Sequence, residues 1–535
     1  MEISEMNGFV YIRGMNPQAI PKWVTSEVDD ALVKTPYFMP NTLSVKKFFD
    51  EVYPLTNKHS YQNGVLDFLR TFQEPPGFVE QRIEAPKGIV LKDHQVTAVN
   101  IMLNRNKYGF FLGTGSGKTL IVLTFLLNLK DRINAIVFTP KRVINQYIGE
   151  CKKYLKNTMV TEDPLDFIGE MGDRVLVTNY EQAKNVLEVL GPRKVGQLFL
   201  DESHYVKEYS SDRNQFMREF GQRAKRAYLF TGTPQDTNKH EIFPQLAVLD
   251  KRYMPGKTRF HSRYFHIDKY YKPQSIRKEV SDEIDAMLKE VTWGQETEDV
   301  VQLTDERNVI ISIKKIPPEY QRLISDRIIT KRSSNDPNVR WESVADTQGK
   351  LKQKLHQITG GTLKGHVRFE DDLENERTRK YTIRLKGSGK VNAIKALAKQ
   401  VETAVIYTMY RAEVDVVGDA LREVGATYRV IDGQTTDAKA REAEIGFKDG
   451  SIRFLVMQAK SGSAGLDLKN TQNVIFYSLP ESYIVFTQCK GRIRRIGQTQ
   501  VCQYFYLVAK GTVDEQILNS LKRKKSFSTR VFKIY

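Results

Sequence analysis

The stretch from Phe111 to Leu120, FLGTGSGKTL, constrains this chain most, because an apolar run enters a glycine-rich turn there and leaves through Lys118 and Thr119. The order implied is a strand, a tight loop and a helix. Gly113, Gly115 and Gly117 would let backbone N–H groups close around phosphate oxygens, and a helix opening at Lys118 adds the positive end of its dipole. Lys118 can then reach the β- and γ-phosphates of a bound nucleotide, while the Thr119 hydroxyl suits a magnesium ion. The strict form of this signature has glycine five positions before Gly117, where this chain has Leu112. A glycine-rich turn without chemistry would look similar, so other residues must discriminate.

They do so in order along the chain. QLFLDESH, Gln197 to His204, reads as a buried strand ending in two carboxylates. Asp201 at its tip is suited to hold magnesium, and Glu202 to position and deprotonate an attacking water. AYLFTGTPQ repeats the design, with Thr231, Gly232, Thr233 and Pro234 at the strand end, although Thr-Gly-Thr-Pro is also good turn chemistry. Far downstream, QCKGRIRRIGQ carries Arg492 and Arg495 three apart, so a helix there would turn both to one side, and arginine can stabilise charge on a transferring phosphoryl group.

Around these motifs apolar strands alternate with amphipathic helices, twice: GFFL, NAIVFTP, RVLVTNYE, QLFLDES and AYLFTGTP, then AVIYTMY, YRVIDG, FLVMQA, NVIFYS and QYFYLVA. That rhythm predicts an α/β fold with two tandem lobes, each a parallel sheet with flanking helices. Residues 1–88 are expected to form a small α+β accessory domain, with FVYIR a strand and WVTSEVDDALV, VKKFFDEVY and NGVLDFLRTF helices, closed off by EPPGF. The first lobe is assigned to 89–300 with a helical protrusion from about 236, a linker and helical elements to 301–390, the second lobe to 391–510, and a basic bracing helix and tail to 511–535. In that last helix Thr512 and Glu515 suggest a capping box, and Val513, Ile517, Leu518 and Leu521 an apolar stripe.

Charge points to a polyanionic partner. The net charge is +18, yet residues 1–88 hold 9 basic and 11 acidic side chains, while Gln488 to the end holds 11 basic and 2 acidic. The amino-terminal region is therefore not expected to be the main phosphate grip, and is open to a protein partner. Three cysteines, Cys151, Cys489 and Cys502, include no CxxC pair, so no disulfide framework or zinc site is expected. Neither a signal-peptide pattern nor an apolar run of membrane-spanning length occurs.

From about Leu91 to Lys524 the sequence resembles the SWI/SNF-type ATPases of helicase superfamily 2. LKDHQ is similar to the family's adenine-reading motif, with Gln95 as its glutamine; GTGSGKT and DESH match its two ATPase motifs and LFTGTPQ its coupling motif. FTPKRVINQY resembles the motif touching the tracked strand, and QAKSGSAGLDLKNTQNVIFYS the nucleotide- and DNA-coupling motif, in which Gly465 and Asp467 fall. GRIRRIGQTQ followed by YLVAKGTVDEQILNSLKRK is the most specific piece. The first loop departs from the family's usual Gly-Leu-Gly form, and nothing resembles a bromodomain, a chromodomain or a zinc finger. The resemblance implies two RecA-like lobes, ATP and magnesium as cofactors, and DNA, duplex or branched, in preference to RNA. It implies a compact DNA-dependent ATPase and translocase, like annealing helicases or the motors of viruses and bacteria, in the cytoplasm, on the nucleoid or inside a host cell. The alternatives are a strand-separating or branch-migrating helicase, the motor subunit of a larger complex, and a nucleic-acid scaffold with a dead motor. Intact Lys118, Thr119, Asp201, Glu202, Arg492 and Arg495 argue against the last.

Overall fold

The computed structural model describes the backbone of residues 2–6, 9–13, 27–29 and 32–38, and residues 80–532 except 114, 170–171, 237–238, 269–272, 296–302, 333–339, 371–375, 463–465, 467 and 496. It divides into two units, Met1–Val300 with Ser528–Tyr535, and Val301–Phe527.

In unit 1 seven strands form one sheet in the order Thr292–Gln295, Lys107–Leu112, Ala224–Thr231, Val195–Asp201, Asn134–Phe138, Asp173–Thr178, Thr158–Thr161. Every pairing in it is parallel. Successive side chains of a strand point to opposite faces, and here both faces are covered. Phe110 and Leu112 enter one hydrophobic cluster with Tyr228 and Phe230, while Phe111 enters another with Leu198, Leu200 and Leu229. That double burial is why these strands read as unbroken apolar runs.

From about 236, where a helical protrusion is expected, the helices Phe243–Leu249, Lys257–Tyr264 and Ser281–Val291 bring Phe243, Leu246, Phe260, Tyr264, Ile284 and Leu288 into the cluster around Leu200, and the chain then adds the edge strand Thr292–Gln295. One expectation for this unit needs correction. Near the amino terminus, the strand expected at Phe9–Arg13 is present, but part of the segment expected to be a helix over Trp23–Val33 carries the strand Glu27–Asp29 and the start of Leu32–Phe38. Val28 stands opposite Val33 in that hairpin, and β-branched residues favour strands. The helices expected over 45–53 and 63–72 lie outside the described residues.

Unit 2 has a six-stranded sheet, all parallel, in the order Glu306–Ile313, Cys502–Ala509, Asn473–Phe476, Ala404–Thr408, Phe454–Gln458, Tyr428–Ile431. Its edge strand comes from the segment expected to be a linker with helical elements, and runs in register from Glu306 opposite Cys502 to Ile313 opposite Ala509. Among its described residues the same segment contains two helices, Glu319–Asp326 and Gln348–Thr359, but also a four-stranded antiparallel sheet of Ile328–Arg332, Arg340–Val344, Thr362–Glu370 and Glu376–Arg384. The closing helix runs Val513–Phe532, and Val513, Ile517, Leu518 and Leu521 are buried in the unit's core as the stripe predicts. Its start is not a capping box. The Thr512 hydroxyl donates to the Ala509 carbonyl (2.7 Å) and accepts from the Asp514 N–H, while Glu515 reaches the Gly511 N–H (3.1 Å).

Candidate nucleotide site

Parallel pairing brings the motifs of unit 1 to one edge of its sheet. Ala224–Thr231 lies between the strand entering the glycine-rich loop and the strand ending in Asp201, with Phe230 in register with both Phe110 and Asp201. Neighbouring strands stand about 4.8 Å apart, so the loop and the carboxylates lie about 10 Å from each other across the Thr231 strand.

The loop adopts the shape its glycines allow. Gly115 and Gly117 have φ of 85° and 80°, in the left-handed region, and Gly117 caps the helix Lys118–Leu127. At Gly117 space adds to conformation, since a Cβ there would stand 2.4 Å from Gln95 Nε2. Gln95 itself is buried. Its Nε2 donates to the Ser116 carbonyl (3.0 Å), on which His94 Nε2 also converges (2.8 Å), and its Oε1 accepts from the Lys92 N–H (3.0 Å). The glutamine therefore braces the loop. The Gly113 N–H is held by the Gln295 carbonyl (3.2 Å), so the edge strand supports the loop from the other side. Ser116 Oγ is buried with no hydrogen-bond partner, which leaves a polar atom in the cradle for a ligand to satisfy.

Lys118 Nζ lies 3.4 Å from the Leu112 carbonyl and 3.9 Å from Glu202 Oε1, within reach of both without a close bond to either. Asp201 Oδ2 accepts from Thr139 Oγ1 (3.0 Å), and the Asp201 carbonyl accepts from the Tyr180 hydroxyl (2.7 Å). Burial, reinforced by the neighbouring Glu202 charge, pushes the Asp201 carboxyl up to about 6, against the pull of Lys118 and the Thr139 hydrogen bond. Glu202 has φ of 55°, rare for a residue with a side chain, and such strain collects at functional sites. Its Oε2 faces His204 Nδ1 (3.2 Å) and accepts from Thr231 Oγ1 (3.3 Å), and Thr231 Oγ1 in turn accepts from the Thr233 N–H (3.1 Å). The two strand-end motifs are thus joined by hydrogen bonds through Thr231, and behind them Gln245 accepts from Ser203 Oγ and donates to the Pro234 carbonyl.

Thr139, Tyr180, His204 and Gln245 were not singled out in the sequence. The signal available for the first two is position: each follows an apolar strand within two residues, as Asp201 closes its own. With Thr119 and Asp201 as oxygen donors beside a phosphate cradle, the residues present fit magnesium carried with ATP better than a protein-only cage, and no group of three metal-binding side chains occurs among the described residues.

In unit 2 the expected helix over the arginines ends at Lys490, where Gly491 caps it. Arg492 and Arg495 lie in the following turn, Arg492 donating to the Leu466 carbonyl (3.3 Å) and Arg495 Nε to the Gly491 carbonyl (2.7 Å). Burial pushes the ionisation of the Tyr407 phenol, at the centre of the sheet, well up, and both guanidiniums pull weakly the other way. Gly465 and Asp467 lie outside the described residues.

Comparison with known proteins assigns this chain. Residues 94–338 match the SNF2-related domain, and residues 389–497 the helicase conserved C-terminal domain. A Drosophila melanogaster SWI/SNF-related matrix-associated actin-dependent regulator of chromatin subfamily A-like protein 1 is 26% identical over 369 residues, 68% of this chain and 45% of that protein. The yeast ATP-dependent helicase FUN30 is 23% identical over 88% of this chain and 48% of its own length, and a RAD54-like DNA repair and recombination protein of Drosophila ananassae is 24% identical over 83% and 62%. The chain thus spans about half the length of the first of these relatives. Among solved structures, the Sulfolobus solfataricus SWI2/SNF2 ATPase core in complex with dsDNA covers 85% of this chain and 95% of its own, at 17% identity and a TM-score of 0.38. With both domain models matched in order and the glycine loop, Asp201 and Glu202 assembled at one sheet edge, the chain belongs to the SWI/SNF-type ATPases of helicase superfamily 2.

Proposed function

We propose that this chain is a DNA-dependent ATPase that moves along duplex or branched DNA as a translocase. The observation that carries the reading is the convergence of the glycine cradle, Lys118, Asp201 and Glu202 at one sheet edge. Lys118 would hold the β- and γ-phosphates, and Glu202, kept in place by His204 and Thr231, would take the proton of the attacking water. Thr119 and Asp201 would hold magnesium, which supplies neutralising charge when bound. Arg492 and Arg495 would stabilise charge on the transferring phosphoryl group, and Gly465 and Asp467 would couple hydrolysis to DNA.

The relatives' names, an ATP-dependent helicase and a DNA repair and recombination protein among them, support DNA as the partner, as does the basic composition. Among the described residues no helix is long and apolar enough to cross a membrane. We place the work of the protein on DNA, with residues 1–88 serving substrate selection, a protein partner or autoregulation. Displacement of a third strand from a DNA triplex distinguishes translocation from strand separation. Release of that strand without unwinding of a forked duplex is the expected result, and efficient fork unwinding would favour a helicase.

A further inference from the structure

The four-stranded antiparallel sheet of unit 2 has one face committed to the core. Ile329, Trp341 and Leu363 are buried in the unit's main hydrophobic cluster. Gly365 makes this packing close, since a Cβ there would stand 2.2 Å from the Glu342 carbonyl and 2.6 Å from the Trp341 ring. Trp341 Nε1 donates to the Tyr381 carbonyl (3.3 Å). The sheet is therefore pinned, and its alternation fixes which side chains turn away.

Those are the basic ones. Residues directly opposite share a face, and Lys364, His366 and Arg368 on one strand stand opposite Thr382, Lys380 and Thr378 on the next, with Arg340 opposite Arg368 on the third. Lys364, His366, Arg368, Lys380 and Arg340 are all exposed, as is Arg384. Alternate residues of a strand are about 6.8 Å apart and neighbouring strands about 4.8 Å, so the cations form a flat grid. Glu342 holds Arg368 (2.8 Å to Oε1) and Asp419 holds Arg384, but Lys364, Lys380 and Arg340 make no ion pair among the described residues. The pairing of these two strands ends where Glu370 stands opposite Glu376.

We infer that this face is a contact surface for the phosphate backbone of duplex DNA, additional to the motif Phe138–Tyr147 that is expected to touch the tracked strand. Charge complementarity selects the partner. Lysine is depleted in protein interfaces, which are built on aromatic and apolar anchors, and the exposed large apolar side chain on this face, Val344, sits at its edge. A duplex offers one negative charge per about 1.7 Å of axis, and neutralising it releases counterions whatever the base sequence. The inference rests on DNA as the partner in the reading above.

The test is a salt titration of duplex binding by the full chain and by a Lys364→Glu, Lys380→Glu, Arg340→Glu variant, with its melting temperature measured alongside. Each lost phosphate contact should make the log–log salt dependence shallower by about 0.9, hence by about 2.7 for three, with affinity near 0.1 M salt falling at least about tenfold. If the reversed variant is unstable, Lys364→Gln with Lys380→Gln should give about two-thirds of that change in slope. Unchanged affinity and slope in a folded variant would overturn the inference, leave the motor reading intact and turn attention to an acidic protein as occupant. Tight duplex binding by the wild type without any stimulation of ATP hydrolysis would instead remove the motor reading and leave this surface standing. A wild type that does not bind duplex removes both.

Discussion

Lys118, Asp201 and Glu202 in unit 1 and Lys390, Asp514 and Glu413 in unit 2 are the same three residue types in opposite circumstances. Lys118 and Glu202 keep 12% and 24% of their side chains exposed and stand 3.9 Å apart. Lys390 and Asp514 are 0% and 2% exposed and only 2.7 Å apart. Asp514 also accepts from Thr359 Oγ1 (2.8 Å) and the Ala509 N–H (3.1 Å), and Glu413 from Ser478 Oγ (2.7 Å) and the Met409 and Tyr410 N–H groups. The unit 2 charges are consumed in holding the helices that begin at Gln348, Gly389 and Val513 together. In unit 1 Lys118 and Glu202 stay partly exposed beside the glycine loop, where a ligand can take them over. Exposure and saturation of a charge, not its presence, separate the reacting group from the structural one.

The comparison breaks most visibly at Glu202. Glu202→Gln keeps size and removes the base, so ATP turnover should fall about 10²- to 10⁴-fold while the melting temperature stays at the wild-type value; a matching loss of stability would make Glu202 structural. Lys390→Ala should behave in reverse. Leaving Asp514 buried without its cation costs about 3–5 kcal/mol, read from urea unfolding of the chain, and a cost below about 1 kcal/mol would contradict the contrast.

A smaller effect sharpens it through pH. Burial pushes the His356 imidazole down to about 4, although Asp514 Oδ1 at 3.8 Å pulls it the other way, and its Nδ1 lies 3.3 Å from the Tyr410 hydroxyl. The unfolded chain, with histidine near 6.5, takes up this proton first as pH falls. The stability held above pH 6.5 is therefore lost as pH drops towards 4, by about 3 kcal/mol at most. His356→Gln should flatten that part of the stability profile, and an unaltered slope would show that other groups carry it.

How much of this was legible follows from how the strands are buried. The phosphate loop, DESH and TGTP each follow a strand covered on both faces, so an unbroken apolar run announces them, and their chemistry is local in sequence. The edge strand Glu306–Ile313 carries the β-branched run Val309–Ile311, but its partner Cys502–Ala509 is remote along the chain, so its place in the second sheet is not legible locally. The antiparallel sheet escaped for a related reason: with one face solvated, its Lys and Arg residues read as a polar connector. Arg492 and Arg495 have helical spacing, yet Gly491 stops the helix one residue before the first of them. In the nucleotide site the residues proposed to act directly were readable, whereas Thr139, Tyr180 and Gln245 are tied to it through contacts between distant segments.

The central claim, that the cleft chemistry of unit 1 is driven by DNA, is tested most directly by ATP hydrolysis of the purified full chain with and without linear duplex DNA. A rise in rate that saturates with DNA and disappears in Glu202→Gln is expected; a rate that DNA leaves unchanged would contradict DNA-driven hydrolysis.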